Sequence, residues 1–273
     1  MNDKVKKERL DIYLVENGMA TSREKAKALI MEGKVYVNSQ KEDKAGTLIK
    51  LTDKIECRGE KLKYVSRGGL KLEKASKVFT ISYEDKICID IGSSTGGFTD
   101  YMLQNGAKLV FAVDSGTNQL DYKLRVDKRV VSLENTNARY LTAVDVNNEK
   151  IDVITIDVSF ISLQKILVPA YDILDEDGLV VMLVKPQFEA GRELVEKNGV
   201  VRNKSTHIKV IEDVIDFSEK IGFFIKGLDF SPIKGPAGNI EFLLYADKKN
   251  DENQIFDKNL IKGVVQDAHI ALD

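Results

Sequence analysis

The chain has 273 residues, 43% of them hydrophobic and 31% charged, and a net charge of −2. This is the composition of an ordinary globular protein and excludes a polycationic nucleic-acid coat. Two cysteines (Cys57, Cys88) and two histidines (His207, His269) are too few and too scattered for a disulfide framework, a Cys/His zinc site or a histidine triad with a nearby cysteine, so no metal is expected. No run approaches the ~18 apolar residues that span a bilayer, and MNDKVKKERLD lacks the apolar core of a secretory signal; a cytoplasmic protein without membrane contact is expected.

Charge is uneven along the chain. Residues 1–65 carry 15 Lys+Arg against 11 Asp+Glu, and the remainder carries 26 against 32. A mildly basic head on an acidic body fits a separate nucleic-acid-binding module, although a charge run is usually a solvated face. In the head, ERLDIYLVENG has helical recurrence of Leu10, Ile12, Tyr13, Leu14 and Val15, stopped by Gly18. Thr21 or Ser22 can cap a second helix, SREKAKALIMEG, which Gly33 ends. KVYVNSQ alternates as a strand, and GTLIKLTDKIEC supplies two more. Residues 1–60 therefore read as a small α+β module. Arg9, Arg23, Lys25, Lys27 and Lys34 give it a basic edge suited to phosphate contacts.

KLKYVSRGGL, residues 61–70, reads as a linker. From residue 71 to 273 the pattern changes. Seven strand-like runs (KICID, AKLVFAVD, RVVSLE, IDVITIDV, GLVVMLVK, GFFIKGLDF and IEFLLYAD) alternate with helical stretches such as 163–174 and 206–222. Such alternation predicts βαβ units and a mostly parallel sheet in an α/β fold. Only FSPIKGPAGN separates the last two strands, too little for a crossover helix, so the final strand should be antiparallel. The polar stretch after Asp247 leads to a helical tail, NLIKGVVQDAHIAL, without an evident role.

The turn DIGSSTGGFTD (90–100) follows the first of these strands and opens a helix. Gly92 and Gly97 have the spacing of a phosphate loop, but Phe98 stands where its lysine is needed, and the dinucleotide spacing G-x-G-x-x-G is absent. Asp90, ending the first strand, suits a cationic ligand. Asp114, ending the second, can accept hydrogen bonds from a ribose diol. S-adenosylmethionine, with an ammonium, a sulfonium, a ribose and no phosphate, matches this turn best. The plain alternative is that the glycines serve helix–strand packing and Asp90 caps the helix.

Four charged residues stand where apolar ones belong. Asp157 ends one strand, Lys185 ends the next, Glu241 opens the last, and Lys71 precedes the first. The ends of parallel strands converge, so Asp157 and Lys185 should meet beside the glycine turn, within reach of Lys71. A structural ion-pair network would account for the same pattern. The chemistry that uses it is transfer to a ribose hydroxyl: a lysine can share the proton of so weak an acid, while carboxylates orient the amines and the ribose. No cysteine is placed to attack a pyrimidine carbon, and no [ND]-P-P-[YF] clamp for a base amino group occurs.

Together, DIGSSTGGFTD, IDVSFISL (156–163), LVKPQFEAG (183–191) and GPAGNIEFLLY (235–245) resemble the TlyA family, known both as rRNA 2′-O-methyltransferases and as hemolysin A. The body is similar to FtsJ-type ribose methyltransferases. That implies a Rossmann-like class I fold with a seven-stranded, mostly parallel sheet and an antiparallel last strand. The head, with RLDIYL, TSREKAKALIMEGKVYVN and DKIEC, looks like the alpha-L RNA-binding domain of the ribosomal-protein-S-four type. The resemblance implies S-adenosylmethionine as donor and cytidine of rRNA, within one or both ribosomal subunits, as acceptor. It places a Lys-Asp-Lys-Glu tetrad on Lys71, Asp157, Lys185 and Glu241, with Lys185 central. It places the cofactor against Asp90, Gly92, Gly96, Gly97 and Asp114, with Asn137 in ENTNAR near the adenine. Two rival readings are a non-catalytic RNA-binding or assembly factor, suggested by the basic head, and a haemolysin, suggested only by the family's second name.

Overall fold

The structure, a computed structural model of the chain, describes residues 7–20, 22–57, 63–249 and 256–273. The chain divides into two compact units, Met1–Lys61 and Leu62–Asp273.

In the first unit β1 (Lys7–Arg9) leads into α1 (Leu10–Glu16) and α2 (Arg23–Met31). The strands β2 (Val35–Val37), β3 (Gln40–Glu42), β4 (Leu48–Lys50) and β5 (Ile55–Cys57) follow. The helix expected over ERLDIYL starts only at Leu10, because Glu8 and Arg9 pair antiparallel with Ile49 and Leu48. Ser22 caps α2 by accepting from Lys25 N at 3.2 Å; Thr21 lies outside the described residues. The strand expected over KVYVNSQ breaks into a hairpin at Asn38 and Ser39, which take φ of 49° and 68°. A two-residue loop with both φ positive matches the twist of the strands it joins. Leu10, Leu14, Ala26, Ile30, Val35 and Ile49 form this unit's own core.

The second unit runs α3 (Gly68–Phe79), β6 (Ile87–Ile91), α4 (Gly97–Gln104), β7 (Leu109–Val113), α5 (Tyr122–Arg125) and β8 (Val130–Leu133). It continues with β9 (Ile151–Ile156), α6 (Gln164–Ile173), β10 (Leu174–Val184), α7 (Pro186–Glu189), α8 (Lys204–Ile221), β11 (Phe224–Phe230), β12 (Phe242–Asp247) and α9 (Leu260–Leu272). Its sheet has seven strands in the order β11-β12-β10-β9-β6-β7-β8. Pairing is parallel from β10 to β8, and β12 runs antiparallel between β10 and β11. The antiparallel last strand expected from the short FSPIKGPAGN connection is therefore present, inserted inside the sheet rather than added at its edge.

Side chains alternate across the sheet with the two-residue period of a strand. Along β10, Val180, Met182 and Val184 join the core shared with α6, α8 and α9, while Val181 and Leu183 join the core shared with α3 and α4. Helices thus cover both faces, as a parallel sheet requires. The tail finds its place here: α9 buries Ile261, Val265 and Ala268 in the first of these cores.

The helix expected from Lys71 begins at Gly68, so part of the 61–70 stretch belongs to the second unit's packing. Tyr64 is buried with its ring edge-on to Tyr101 at 5.4 Å, and Val65 N donates to Asp100 Oδ2 at 2.8 Å. Glycine is required where α3 meets α4. A Cβ on Gly69 would lie 2.4 Å from the Tyr64 ring, and one on Gly97 would lie 2.9 Å from Gly69 N. By contrast, a Cβ on Gly263 in α9 meets nothing within 4 Å. Gly97→Ala should therefore destabilise the protein by about 2 kcal/mol through overpacking, and Gly263→Ala should stabilise it by about 0.5 kcal/mol. Chemical denaturation of both variants checks the opposite signs.

Candidate functional site: a buried charge tetrad beside a glycine turn

The carboxyl ends of β6, β9 and β10 and the start of β12 open onto a cavity of about 520 Å³. The reason lies in the strand order, which sets β6, β9, β10 and β12 side by side. A side chain just past each of the parallel strands, or just before the antiparallel one, emerges at the same edge. Asp157 follows β9, Lys185 follows β10, and Glu241 precedes β12. Lys71 comes from the first turns of α3.

These four side chains meet. Lys71 Nζ donates to Glu241 Oε2 at 2.6 Å and to Asp157 Oδ2 at 3.5 Å. Lys185 Nζ lies 2.5 Å from Asp157 Oδ1 and donates to Ser159 Oγ at 3.1 Å. Lys71 and Lys185 are each only 7% exposed, and Glu241 1%. Asp157 thus bridges the two amines, while Glu241 serves Lys71. Burial works against the charge of Lys71, but Asp157 and Glu241 more than offset it and hold its pKa above the ordinary lysine value. Lys71 is accordingly an ammonium at neutral pH.

The glycine turn forms the other end of the cavity. Gly92 takes φ of 84°, and its N–H donates to Val113 O at 2.8 Å. A Cβ there would stand 2.4 Å from the carbonyl oxygen of Asp157, so the turn can lie against the end of β9 only as glycine. Gly96 takes φ of 93° as the residue that opens α4, and a Cβ would strike Leu124.

Asp90 stands one residue before the end of β6, and its carboxylate is occupied by its own chain. Oδ2 accepts from Thr99 N at 2.9 Å and from Thr99 Oγ1 at 2.6 Å, and Thr155 Oγ1 lies 3.3 Å from Oδ1. The helix-capping alternative is therefore realised, yet Asp90 also lines the cavity. Burial pushes its pKa up to about 7 despite the Thr99 hydrogen bonds, with the Asp157 carboxylate adding to the rise.

Asp114 follows β7. Its two oxygens accept from Ser94 N at 2.8 Å and from Gly116 N at 2.7 Å, which ties the turn to the second strand. Asp90, Gly92, Gly97 and the tetrad line the cavity, whereas Gly96, Asp114 and Asn137 are not part of its wall. Asn137 is exposed and accepts from Arg139 N and Nε at 3.2 Å each.

Several wall residues were not singled out from the sequence. Ser66 and Gly68, from the 61–70 stretch, reach the cavity. Ser159 holds Lys185. Phe160 is 91% exposed at φ of 64°, its ring 5.1 Å from that of Phe188. Glu189 fixes this loop by accepting from Ser162 Oγ at 2.7 Å and Leu163 N at 2.8 Å. Ser159, Phe160, Phe188 and Glu189 lie within the motifs SFISL and KPQFE, whose letters offer no reason to choose among them, and Ser66 and Gly68 lie in the stretch that reads as a linker.

In the first unit, Arg9 and Arg23 converge on buried Asp11. Arg9 Nε donates to Oδ1 at 2.9 Å, and Arg23 Nη2 donates to Oδ2 at 2.9 Å. The two guanidinium groups hold the Asp11 carboxyl well below the usual range. Lys25 and Lys27 lie on α2, and Lys34 pairs with Glu32 at 2.6 Å. The basic edge thus includes an arginine pair pre-oriented on one acid. Among the described residues, no group of three or more His, Cys, Asp or Glu could hold a metal ion, and no helix is long and apolar enough to cross a membrane.

The raised pKa of Asp90 has a consequence for stability. Between the ordinary value of 3.8 and about 7, the folded chain retains a proton that the unfolded chain has released. The stabilisation is complete below the lower value and is lost as pH rises through the upper one. Asp90→Asn should flatten this part of the curve of thermal midpoint against pH; an unchanged slope would mean that Asp90 is ionised throughout.

The chain is similar to known proteins along most of its length. Residues 64–248 match the FtsJ-like methyltransferase family, and residues 8–55 match the S4 domain. A Bacillus subtilis protein named as a candidate rRNA methyltransferase, YqxC, is 53% identical over 269 residues, which is 98% of this chain and 96% of its own. The 16S/23S rRNA (cytidine-2′-O)-methyltransferase TlyA of Mycobacterium tuberculosis is 38% identical over 89% of this chain and 91% of its own. A solved structure from Streptococcus thermophilus, described as a candidate hemolysin, superposes with a TM-score of 0.77 at 53% identity, covering 98% of this chain and 97% of that one. The chain belongs to the FtsJ-like methyltransferase family and is a TlyA relative.

Proposed function

We propose that the protein transfers a methyl group from S-adenosylmethionine to the 2′-hydroxyl of a cytidine in ribosomal RNA. The observation that carries this reading is the meeting of Lys71, Asp157, Lys185 and Glu241 in one cavity with the glycine turn.

The cavity suits this donor by its chemistry. At the turn it offers Asp90, bare glycine backbone, and the hydroxyls of Ser93, Ser94 and Thr95, with no lysine or arginine to match a phosphate. Asp114, outside the cavity wall but hydrogen-bonded to Ser94 of the turn, already accepts two backbone N–H groups; a carboxylate has about four lone-pair sites and can take a ribose hydroxyl as well. When bound, S-adenosylmethionine supplies an electrophilic methyl group on a sulfonium.

The chain's own residues do the rest. Lys185 Nζ, steered by Asp157 and Ser159, holds the 2′-oxygen in line; as the neutral amine, after giving a proton to solvent, it takes up the hydroxyl proton as that oxygen forms its new bond to carbon. Lys71 remains an ammonium and, through Asp157 and Glu241, fixes the geometry rather than accepting the proton. Phe160, exposed at the cavity mouth and backed by Phe188, offers a face on which an unstacked base can lie. Arg9 and Arg23, with Lys25, Lys27 and Lys34, supply the phosphate contacts of the S4-type head. The name of the M. tuberculosis relative supports both the acceptor atom and the nucleotide.

The test is mass spectrometry of nucleosides from rRNA. Ribosomal subunits lacking the modification are incubated with S-adenosylmethionine and either the protein or its Lys185→Ala variant. The expected result is a new 2′-O-methylcytidine peak that falls at least about a hundredfold in the variant, with cofactor affinity retained. A cofactor-binding protein that yields no methylated ribose would overturn the reading.

A further inference from the structure

We propose that Gln187 reads the exocyclic amino group of the target cytosine, and so helps to choose the base whose ribose is methylated. This rests on the reading of the reaction given above.

Gln187 stands in α7, two residues past Lys185. It lines the tetrad cavity, and its Oε1 is, among the described residues, a buried side-chain oxygen without a hydrogen-bond partner. Such atoms are rare in folded proteins and costly unless something completes them. The structural elements around it are otherwise satisfied: Ser159 is held by Lys185, and Glu189 is held by Ser162 and Leu163. Oε1 is itself shielded from solvent, so the amide presents it to a ligand by turning toward the cavity that the side chain lines.

Its place in the cavity points to the acceptor nucleotide rather than the donor. The glycine turn follows β6, while Gln187 follows β10, two strands away across β9. At the usual strand spacing this is roughly 10 Å. Between the two, the Lys185 side chain reaches back from the end of β10 to Asp157 at the end of β9, where the reacting oxygen is held. Beside Gln187 stand Phe160 and Phe188. Phe160 keeps φ of 64°, a strained conformation for a bulky residue that persists only where its surroundings hold it. Here Glu189 clamps the loop that carries it. A base lying against the Phe160 ring, with its ribose at Lys185, directs its Watson–Crick edge into the wall that contains Gln187.

The chemistry of that edge fits one pyrimidine. Cytosine presents an amino donor beside the N3 acceptor. An amide with its oxygen inward accepts from the amino group and donates from Nε2 to N3, as a bidentate pair. Uracil at the same place sets a carbonyl oxygen against Oε1. A reversed amide would favour uracil, so base exchange decides the sense of the contact.

The experiment is a coupling cycle with the full chain and ribosomal subunits. The target nucleotide, mapped beforehand by the nucleoside analysis, is either cytidine or 2-pyrimidinone riboside, which carries hydrogen in place of the amino group. Removing the amino group should lower kcat/KM of the unmodified protein by about fivefold, the value of one neutral hydrogen bond. Gln187→Ala, which deletes both bonds of the pair, should lower it further on cytidine, and in that variant removal of the amino group should cost little more, because its partner is already gone. Gln187→Met, which keeps the bulk, should behave as Gln187→Ala does, and S-adenosylmethionine affinity should be unchanged in both.

Losses that simply multiply, an undiminished rate in Gln187→Ala, weakened cofactor binding, or faster transfer to uridine by the unmodified protein would each overturn the assignment. Failure of the unmodified protein to methylate cytidine subunits at all would instead sink the reading of the reaction on which the assignment rests.

Discussion

The second unit is organised around two buried amines that share one carboxylate. Lys71 and Lys185 both reach Asp157, and Glu241 completes the charge balance of Lys71. Leaving any one of these charges unmatched away from water costs several kcal/mol, so the four must be delivered to one place together. Only the sheet edge can do this. Three of them flank the ends of β9, β10 and β12, and α3 is held over the same edge to supply the fourth. The insertion of β12 between β10 and β11 is what brings Glu241 alongside. Had the last strand been added at the outer edge, β11 would lie between Glu241 and Lys185.

The approach of α3 depends in turn on glycine. Gly69 gives room to the Tyr64 ring, and Gly97 gives room to the backbone of α3. Gly92 lets the turn after β6 touch the carbonyl of Asp157. The same residues that leave backbone bare for a ligand also set the distance between the turn and the tetrad. In the proposed reaction, binding of the donor and positioning of the acceptor both depend on this one set of close contacts. The first unit repeats the logic at its surface, where buried Asp11 gathers Arg9 and Arg23 into one orientation.

The sheet was legible because its strands are long apolar runs separated by helical periods, and the antiparallel strand because its connection is too short for a helix. The tetrad was legible because Asp157, Lys185 and Glu241 interrupt such runs, where charge is out of place without a partner. What escaped had no such contrast. The start of α3 at Gly68 is hidden by a glycine pair that reads as a linker, and only the packing against Tyr64 and Gly97 explains it. The cap made by Asp90 competes with a ligand role for the same carboxylate, which no sequence spacing can divide. Phe160 and Gln187 carry letters common in cores and on surfaces alike; exposure in one case, and an orphaned buried oxygen in the other, distinguish them. Asn137, which the resemblance sets near the adenine, turns its side chain to its own Arg139 outside the cavity wall.

The central claim is that this charge arrangement serves an oxygen on the sugar rather than an atom of the base. The most direct measurement replaces the mapped target cytidine by 2′-deoxycytidine in otherwise identical ribosomal subunits and follows transfer of labelled methyl from S-adenosylmethionine. The account predicts that label enters the cytidine subunits and is absent from the deoxycytidine subunits, with the protein still bound to both. Label that enters the deoxycytidine subunits at the same nucleotide would place the methyl group on the base and contradict the role given to the tetrad.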